Sequence, residues 1–191
     1  MYKKIFKRFF DILFSITLIL ALFPVMIFLF FIIWFFIGFP IFKQERPGQN
    51  NKIFTIYKFK TMYDFSSNVS ESRRLNNLGI FLRKTGLDEL PQLFNVLKNN
   101  MSLVGPRPLL VDYLKNYSKY EKKRHNVKPG ITGLAQINPE ISGVKFWSKS
   151  IKLDIYYVEN LSFSLDMQIL FKTLKLIIFK KKQYNDFKKT F

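Results

Sequence analysis

Hydrophobic and polar positions divide the chain into three textures. Residues 12–42 form one apolar run with no charged side chain, flanked by Lys3, Lys4, Lys7 and Arg8 before it and by Lys43, Arg46 and Lys52 after it. Two short runs follow, IFKQE and KIFTIYKF, rich in β-branched and aromatic residues and separated by the turn-forming cluster RPGQNN. They predict a small β-hairpin. Lys58 and Lys60 alternate with Tyr57 and Phe59, which puts both lysines on one strand face. Residues 64–78 are polar and weakly patterned and read as a mobile loop, with a short helix expected over 79–83.

In LDELPQLFNVLK, Leu90, Leu93, Phe94 and Leu97 take the i, i+3, i+4, i+7 spacing of one helical face, and Pro91 is acceptable in a first turn. SLVGPRPLL reads as a rigid loop. DYLKNYSKYEKKRH reads as a polar helix that VKPGITG terminates. Residues 165–179 form an apolar helix bearing lysines, a pattern that suits a membrane interface as well as a core.

The long apolar run meets the length criterion for a membrane helix and lacks the short core and small-residue cleavage site of a signal peptide. As a straight helix, roughly thirty residues at about 1.5 Å each reach about 45 Å, beyond the roughly 30 Å hydrocarbon core. Pro24 removes a helical hydrogen bond and crowds the preceding turn, so a kink is expected there. A single crossing would also leave one basic flank on the non-cytoplasmic side, against the positive-inside tendency. A re-entrant helix that bends at Pro24 and returns satisfies both flanks. A tilted, kinked spanning helix is the alternative.

Composition sharpens this picture. Hydrophobic residues make up 48% of the chain, Phe alone supplies 23, and the formal net charge is +18. A disordered basic tail would be poor in aromatics. A chain both apolar and basic suits an anionic membrane surface and phosphorylated ligands. No Cys is present, which excludes disulfides and thiolate chemistry. His125, in the basic run KKRHN, reads as a solvated side chain. There is no P-loop and no GxGxxG. The aromatics sit in apolar runs and no nucleic-acid-binding motif occurs, so nucleic acid is not an expected partner.

Asp88-Glu89 stands at the start of a predicted helix and has two readings. Carboxylates there complement the helix dipole, which is ordinary capping. The same helix start attracts phosphate, and two adjacent carboxylates could hold Mg²⁺ against a diphosphate, or divide into one nucleophile and one metal ligand. The candidate cations are Arg107, held between Pro106 and Pro108, together with Lys58, Lys60 and Lys128. Each alone reads as a surface charge.

The motifs KRFFDILFS, FKQERPG, IYKFKTM, LRKTGLDELPQLFNVLKNNMSLVGPRPLL, KPGITGLAQIN and LDIYYVENLSFSLDMQIL occur in that order. By them the chain resembles the bacterial sugar transferases, small monotopic phosphoglycosyl transferases that begin glycan assembly on polyprenyl phosphate. The resemblance covers about residues 1–175. Within the family it is nearest to enzymes transferring a phospho-diacetamido-trideoxysugar in bacterial protein N-glycosylation. It implies that Asp88 is a nucleophile attacking the sugar-linked phosphate of a UDP-sugar and that Glu89 is its partner at Mg²⁺. Undecaprenyl phosphate or a related polyprenyl phosphate then accepts the phosphosugar and UMP is released. The resemblance also implies that Lys58, Lys60, Arg107 and Asp154 surround the active site, with Lys128 as a further substrate contact. Pro24 matches the break of a re-entrant helix.

The expected architecture is thus α+β. Residues 1–42 form the re-entrant membrane helix, 43–180 a catalytic domain with interfacial amphipathic helices on the cytoplasmic face of the bacterial inner membrane, and 181–191 a basic tail. Downstream glycosyltransferases would be onward partners. Three departures stand out. Phe23 replaces the Ser common before the membrane proline, Lys128 replaces an Arg, and Pro139-Glu140 replace a Gly-Arg pair in a region that borders the nucleotide-sugar. A competing reading from another class is a non-catalytic basic membrane adaptor.

Overall fold

The computed structural model describes residues 2–64, 74–138 and 146–179. The departures at Pro139-Glu140 and the tail expected over 181–191 lie outside these residues, as does most of the loop expected over 64–78. The chain is a mixture of helices and small sheets. The apolar run forms α1 (Lys7–Ile37), with Pro24 inside it. Gly38 ends the helix at φ +104°, ψ −154°, a region open to glycine alone, and its N–H reaches the Ile33 carbonyl at 3.1 Å.

The predicted hairpin is present. β1 (Ile41–Pro47) pairs antiparallel with β2 (Ile53–Phe59), in a register running from Ile41 opposite Phe59 to Pro47 opposite Ile53. Asn50 and Asn51 turn the chain at φ of 54° and 60°, a left-handed conformation that Asn tolerates. β2 ends at Phe59, so Lys60 lies one residue beyond the strand.

α2 (Asn77–Thr85) extends beyond the short helix expected over 79–83 and starts earlier, where the Asn76 side chain caps it by accepting from the Gly79 N–H at 2.6 Å. Gly86, at φ +72°, ends it and redirects the chain into a tight turn, Leu87–Glu89, that leads to α3 (Gln92–Leu97). The buried face of α3 differs from the one its leucines suggest. Gln92, Leu93, Asn95 and Val96 point inward, while Phe94 is 40% exposed.

β3 (Ser102–Val104) and β4 (Gly130–Thr132) form a parallel pair inside segments that read as loops. Three residues are too few to show a period. The polar helix expected over 112–125 does not form. Two 3-10 segments, Val111–Lys115 and Glu121–Asn126, take its place. Between them Ser118 and Glu121 exchange hydrogen bonds, each side chain accepting from the other's N–H, a reciprocal capping box that restarts the chain. α4 (Phe146–Glu159) and α5 (Phe163–Phe179) close the described chain.

One core holds Leu93, Val96, Met101, Val104, Tyr157 and Ile169. A second joins Met26, Leu29, Ile33 and Ile37 of α1 to Phe59 and Leu82. Half-buried Leu90 packs against both. The first half of α1 is held by polar contacts. Arg8 donates to the Val96 and Leu97 carbonyls at 2.6 and 3.0 Å, where a cation complements the end of α3. Asp11 accepts from the Ser102 hydroxyl and the Leu103 N–H at 2.9 and 3.0 Å. Between these anchors and Met26, residues 16–25 are exposed apart from half-buried Ile19 and Leu22.

Candidate active site

The turn that follows Gly86 presents Asp88 and Glu89 in different surroundings. Asp88 is buried, yet no group among the described residues hydrogen-bonds its carboxylate. Burial and the neighbouring Glu89 push its pKa up to about 6, against the pull of Lys58, Arg83 and Arg107. Glu89 is paired. Lys58 Nζ lies 2.7 Å from its Oε1 and Arg107 Nη2 lies 3.1 Å from the same atom. Burial alone would raise Glu89, but Arg107 and Lys58 outweigh it and hold the carboxyl below the usual range. Adjacent carboxylates driven in opposite directions are suited to different tasks. Neither is bonded to a backbone N–H of the helix start, so neither acts as a cap.

Three separate elements supply the charges. β2 brings Lys58, the Pro-Arg-Pro loop after β3 brings Arg107, and the last turn of α2 brings Arg83, whose Nε donates to Thr61 Oγ1 at 3.0 Å. Arg83 was not singled out by sequence, although it belongs to the block around the carboxylate pair. Both cations on Glu89 converge on Oε1, and Oε2 has no hydrogen-bond partner among the described residues. Oε2 and the Asp88 carboxylate are therefore the oxygens available to a cation. No group of three or more His, Asp or Glu is placed for a metal among the described residues. A Mg²⁺ at this pair would draw the rest of its shell from phosphate oxygens and water, which is its common habit.

The remaining candidates are dispersed. Lys60 pairs with Asp64 and, among the described residues, makes no ion pair with Glu89. Lys128 donates to Asn99 and feels Arg8 and Lys7 at the foot of α1. Asp154 is 3% exposed and sits behind the site, where Arg124 Nη2 meets it at 2.6 Å. Burial pushes its carboxyl up to about 6 against that guanidinium. The same Arg124 donates to the Arg107 carbonyl at 2.7 Å and to the Tyr117 hydroxyl at 2.9 Å. Asp154 thus reaches Arg107 only through Arg124, a residue that a basic run gives no reason to select. His125 is buried, not solvated. Its turn packs on the hairpin, Nδ1 lies 3.3 Å from the Gly48 carbonyl, and burial together with Arg124 pushes its pKa down to about 4.

Comparison with known proteins agrees with the order of motifs. The family described as bacterial sugar transferase matches residues 2–180. The uncharacterized sugar transferase EpsL of Bacillus subtilis (strain 168) is 45% identical over 179 residues, covering 91% of this chain and 88% of EpsL. The exopolysaccharide production protein PSS of Rhizobium leguminosarum bv. phaseoli is 37% identical over 188 residues, covering 89% of this chain and 94% of PSS. The UDP-glucose:undecaprenyl-phosphate glucose-1-phosphate transferase of Klebsiella pneumoniae is 36% identical over 185 residues. That match takes in 90% of this chain and 40% of the larger relative.

Proposed function

The chain belongs to the bacterial sugar transferase family, and on that premise we propose that it moves a phosphosugar from a UDP-sugar onto polyprenyl phosphate, giving a polyprenyl-diphosphate-sugar and UMP. The observation that carries this reading is the asymmetry of the carboxylate pair: Asp88 buried and unpartnered among the described residues, Glu89 held by Lys58 and Arg107. The name of the Klebsiella relative supports a UDP-sugar donor and an undecaprenyl phosphate acceptor.

An Asp88 carboxylate oxygen attacks the phosphorus bonded to the sugar, the bond from that phosphorus to UMP breaks, and UMP leaves with the electron pair. A phosphate oxygen of the polyprenyl phosphate then attacks the same phosphorus, and Asp88 departs as a carboxylate. With a pKa of about 6, Asp88 is mostly ionised at neutral pH yet poorly solvated, which suits a nucleophile. Lys58, Arg83 and Arg107 offset charge on the diphosphate. Glu89 Oε2 and Asp88 would hold a Mg²⁺, whose charge neutralises diphosphate oxygens when bound.

Topology belongs to the same proposal. Residues 1–42 enter the cytoplasmic face of the membrane as a re-entrant helix, and 43–180 form the catalytic part. Both halves of α1 dock on one body, Arg8 and Asp11 through α3 and β3, Ile33 and Ile37 through Phe59 and Leu82, while 16–25 stand clear of it. That arrangement supports a bend at Pro24. Exposed Phe171, Leu174 and Ile177, beside exposed Lys172 and Lys175, support an interfacial position for α5.

Membrane fractions carrying the full chain are assayed with a panel of UDP-sugars, and UMP release requires both polyprenyl phosphate and Mg²⁺. Asp88→Asn abolishes release. Near-native turnover in that variant removes Asp88 as the nucleophile.

A further inference from the structure

Asn95 is fully buried on α3, six positions after Glu89 in the sequence, and takes no part in the contacts around the carboxylate pair. Its amide is committed to β2. The Tyr57 N–H donates to its Oδ1 at 3.0 Å, and its Nδ2 donates to the Thr55 carbonyl at 2.7 Å. The N–H of one strand residue and the C=O of the residue two before it face the same strand edge. β1 occupies the other edge of β2, so the Asn95 side chain acts as a one-residue third strand on the edge that the sheet leaves open.

The residue after Tyr57 is Lys58, and its ammonium meets Glu89 Oε1. The helical stretch 87–97 is therefore tied to β2 at two points, by an amide at Asn95 and by an ion pair at Glu89. Ile56 of β2 also shares a core with Leu93 and Val96, but apolar packing is non-directional, and it is the Asn95 amide that fixes which strand residues the stretch faces. The first tie also accounts for the rotated face of α3, which turns Asn95 inward and leaves Phe94 exposed. A helix packing only through its leucines would bury Phe94.

We infer that Asn95 is a positioning residue for sugar-phosphate transfer, setting the carboxylate pair against Lys58 by reading the free edge of β2. The inference rests on the proposed function of Asp88 and Glu89. Asn95 touches no reacting atom. It acts through Lys58 and Glu89, so its loss is felt only as far as Lys58 matters.

The test is a double-mutant cycle in the full chain in membranes, with UMP release from UDP-glucose, UDP-galactose and UDP-N-acetylglucosamine as probes and undecaprenyl phosphate as acceptor. Asn95→Ser is expected to lower kcat about tenfold or more in chain that still accumulates in the membrane, since small displacements of reacting groups are costly. It also lowers the temperature of thermal unfolding, because two buried backbone groups lose their partner, and the cycle with Lys58 separates that loss from positioning. In a Lys58→Met background the same change lowers kcat less than about twofold, because the coupled pair is already broken. Asn95→Thr, a milder change, is run in parallel and gives the same pattern.

Equal losses in both backgrounds assign Asn95 to stability alone and overturn the inference, as does failure of both variants to accumulate. A native chain that releases no UMP from any donor of the wider UDP-sugar panel, diacetamido-trideoxysugar donors included, or an Asp88→Asn chain that turns over normally, overturns the underlying reading of the site and this one with it. An independent loss at Asn95 in an active enzyme with inert Asp88→Asn overturns only the role of Asn95.

Discussion

Lys58 Nζ lies 2.7 Å from Glu89 Oε1 across 31 positions of sequence, joining the second strand of the hairpin to the carboxylate pair. That contact separates the two acids. Glu89 is held ionised by Lys58 and Arg107, and Asp88, buried beside that negative charge, is left without a hydrogen-bond partner among the described residues.

An unpartnered buried carboxylate has a cost that its removal exposes. Asp88→Asn is expected to be more stable than the native chain by about 2–3 kcal/mol at pH 7 in Mg²⁺-free buffer, while losing turnover. The sign follows from linkage. The folded pKa of about 6 exceeds the ordinary 3.8, so the native state loses stability as pH rises through that window and carries the full deficit above it. Thermal unfolding of both chains at pH 7 and below pH 4 checks this, and the gap closes at the acid end.

His125 runs in the opposite direction. Its folded pKa of about 4 lies below the ordinary 6.5, so the unfolded chain binds a proton first and stability falls as pH drops from 6.5 toward 4. His125→Asn, which keeps a donor toward the Gly48 carbonyl, removes that sensitivity. The native chain is expected to lose up to about 3 kcal/mol relative to the variant across the window, read from paired denaturation curves.

The buried pair behind Arg107 responds unequally to single and double changes. Arg124→Met strips Asp154, at 3% exposure, of the guanidinium that holds its carboxyl down, so the buried acid is driven to take up a proton, and the change is expected to cost about 3 kcal/mol. Arg124→Met with Asp154→Leu removes both charges and costs markedly less. Unfolding free energies of the two single variants and the double variant decide the matter, and additivity counts against an energetic link between the two groups.

Topology is open to labelling because the chain has no native Cys. Lys3→Cys and Lys52→Cys occupy exposed positions on either side of α1. Gly48 would be a poor choice, since an added Cβ meets the Lys52 carbonyl and the Phe54 ring at 3.1 Å. Both thiols are expected to react with an impermeant maleimide from the cytoplasmic side only. Reaction from opposite sides would establish a spanning helix.

Much of the fold and part of the site were legible in the sequence, for reasons of range. The apolar run, the hairpin with its RPGQNN turn, and the helix starting near Asp88 each declare themselves within one contiguous stretch, through length, turn chemistry and periodicity. The motif LRKTGLDELPQLFNVLKNNMSLVGPRPLL likewise carries the carboxylate pair and Arg107 in one stretch, and only the resemblance it bears made them candidates together. Other features depend on contacts between distant segments. The parallel pair β3–β4 has strands too short to signal a period, and the capping box at Ser118 and Glu121 lies hidden inside an apparently continuous polar helix.

Side-chain partners were decided by the tertiary structure alone. Lys58 and Lys60 look equivalent in sequence, but β2 ends between them and only Lys58 meets Glu89, while Lys60 turns to Asp64. Arg124 and His125 look solvated in a basic run, but folding buries them against Asp154 and Gly48. Asp88-Glu89 as a candidate was a property of the sequence. Which acid would be left without a partner among the described residues was not, because it depends on where three separate elements place Lys58, Arg83 and Arg107.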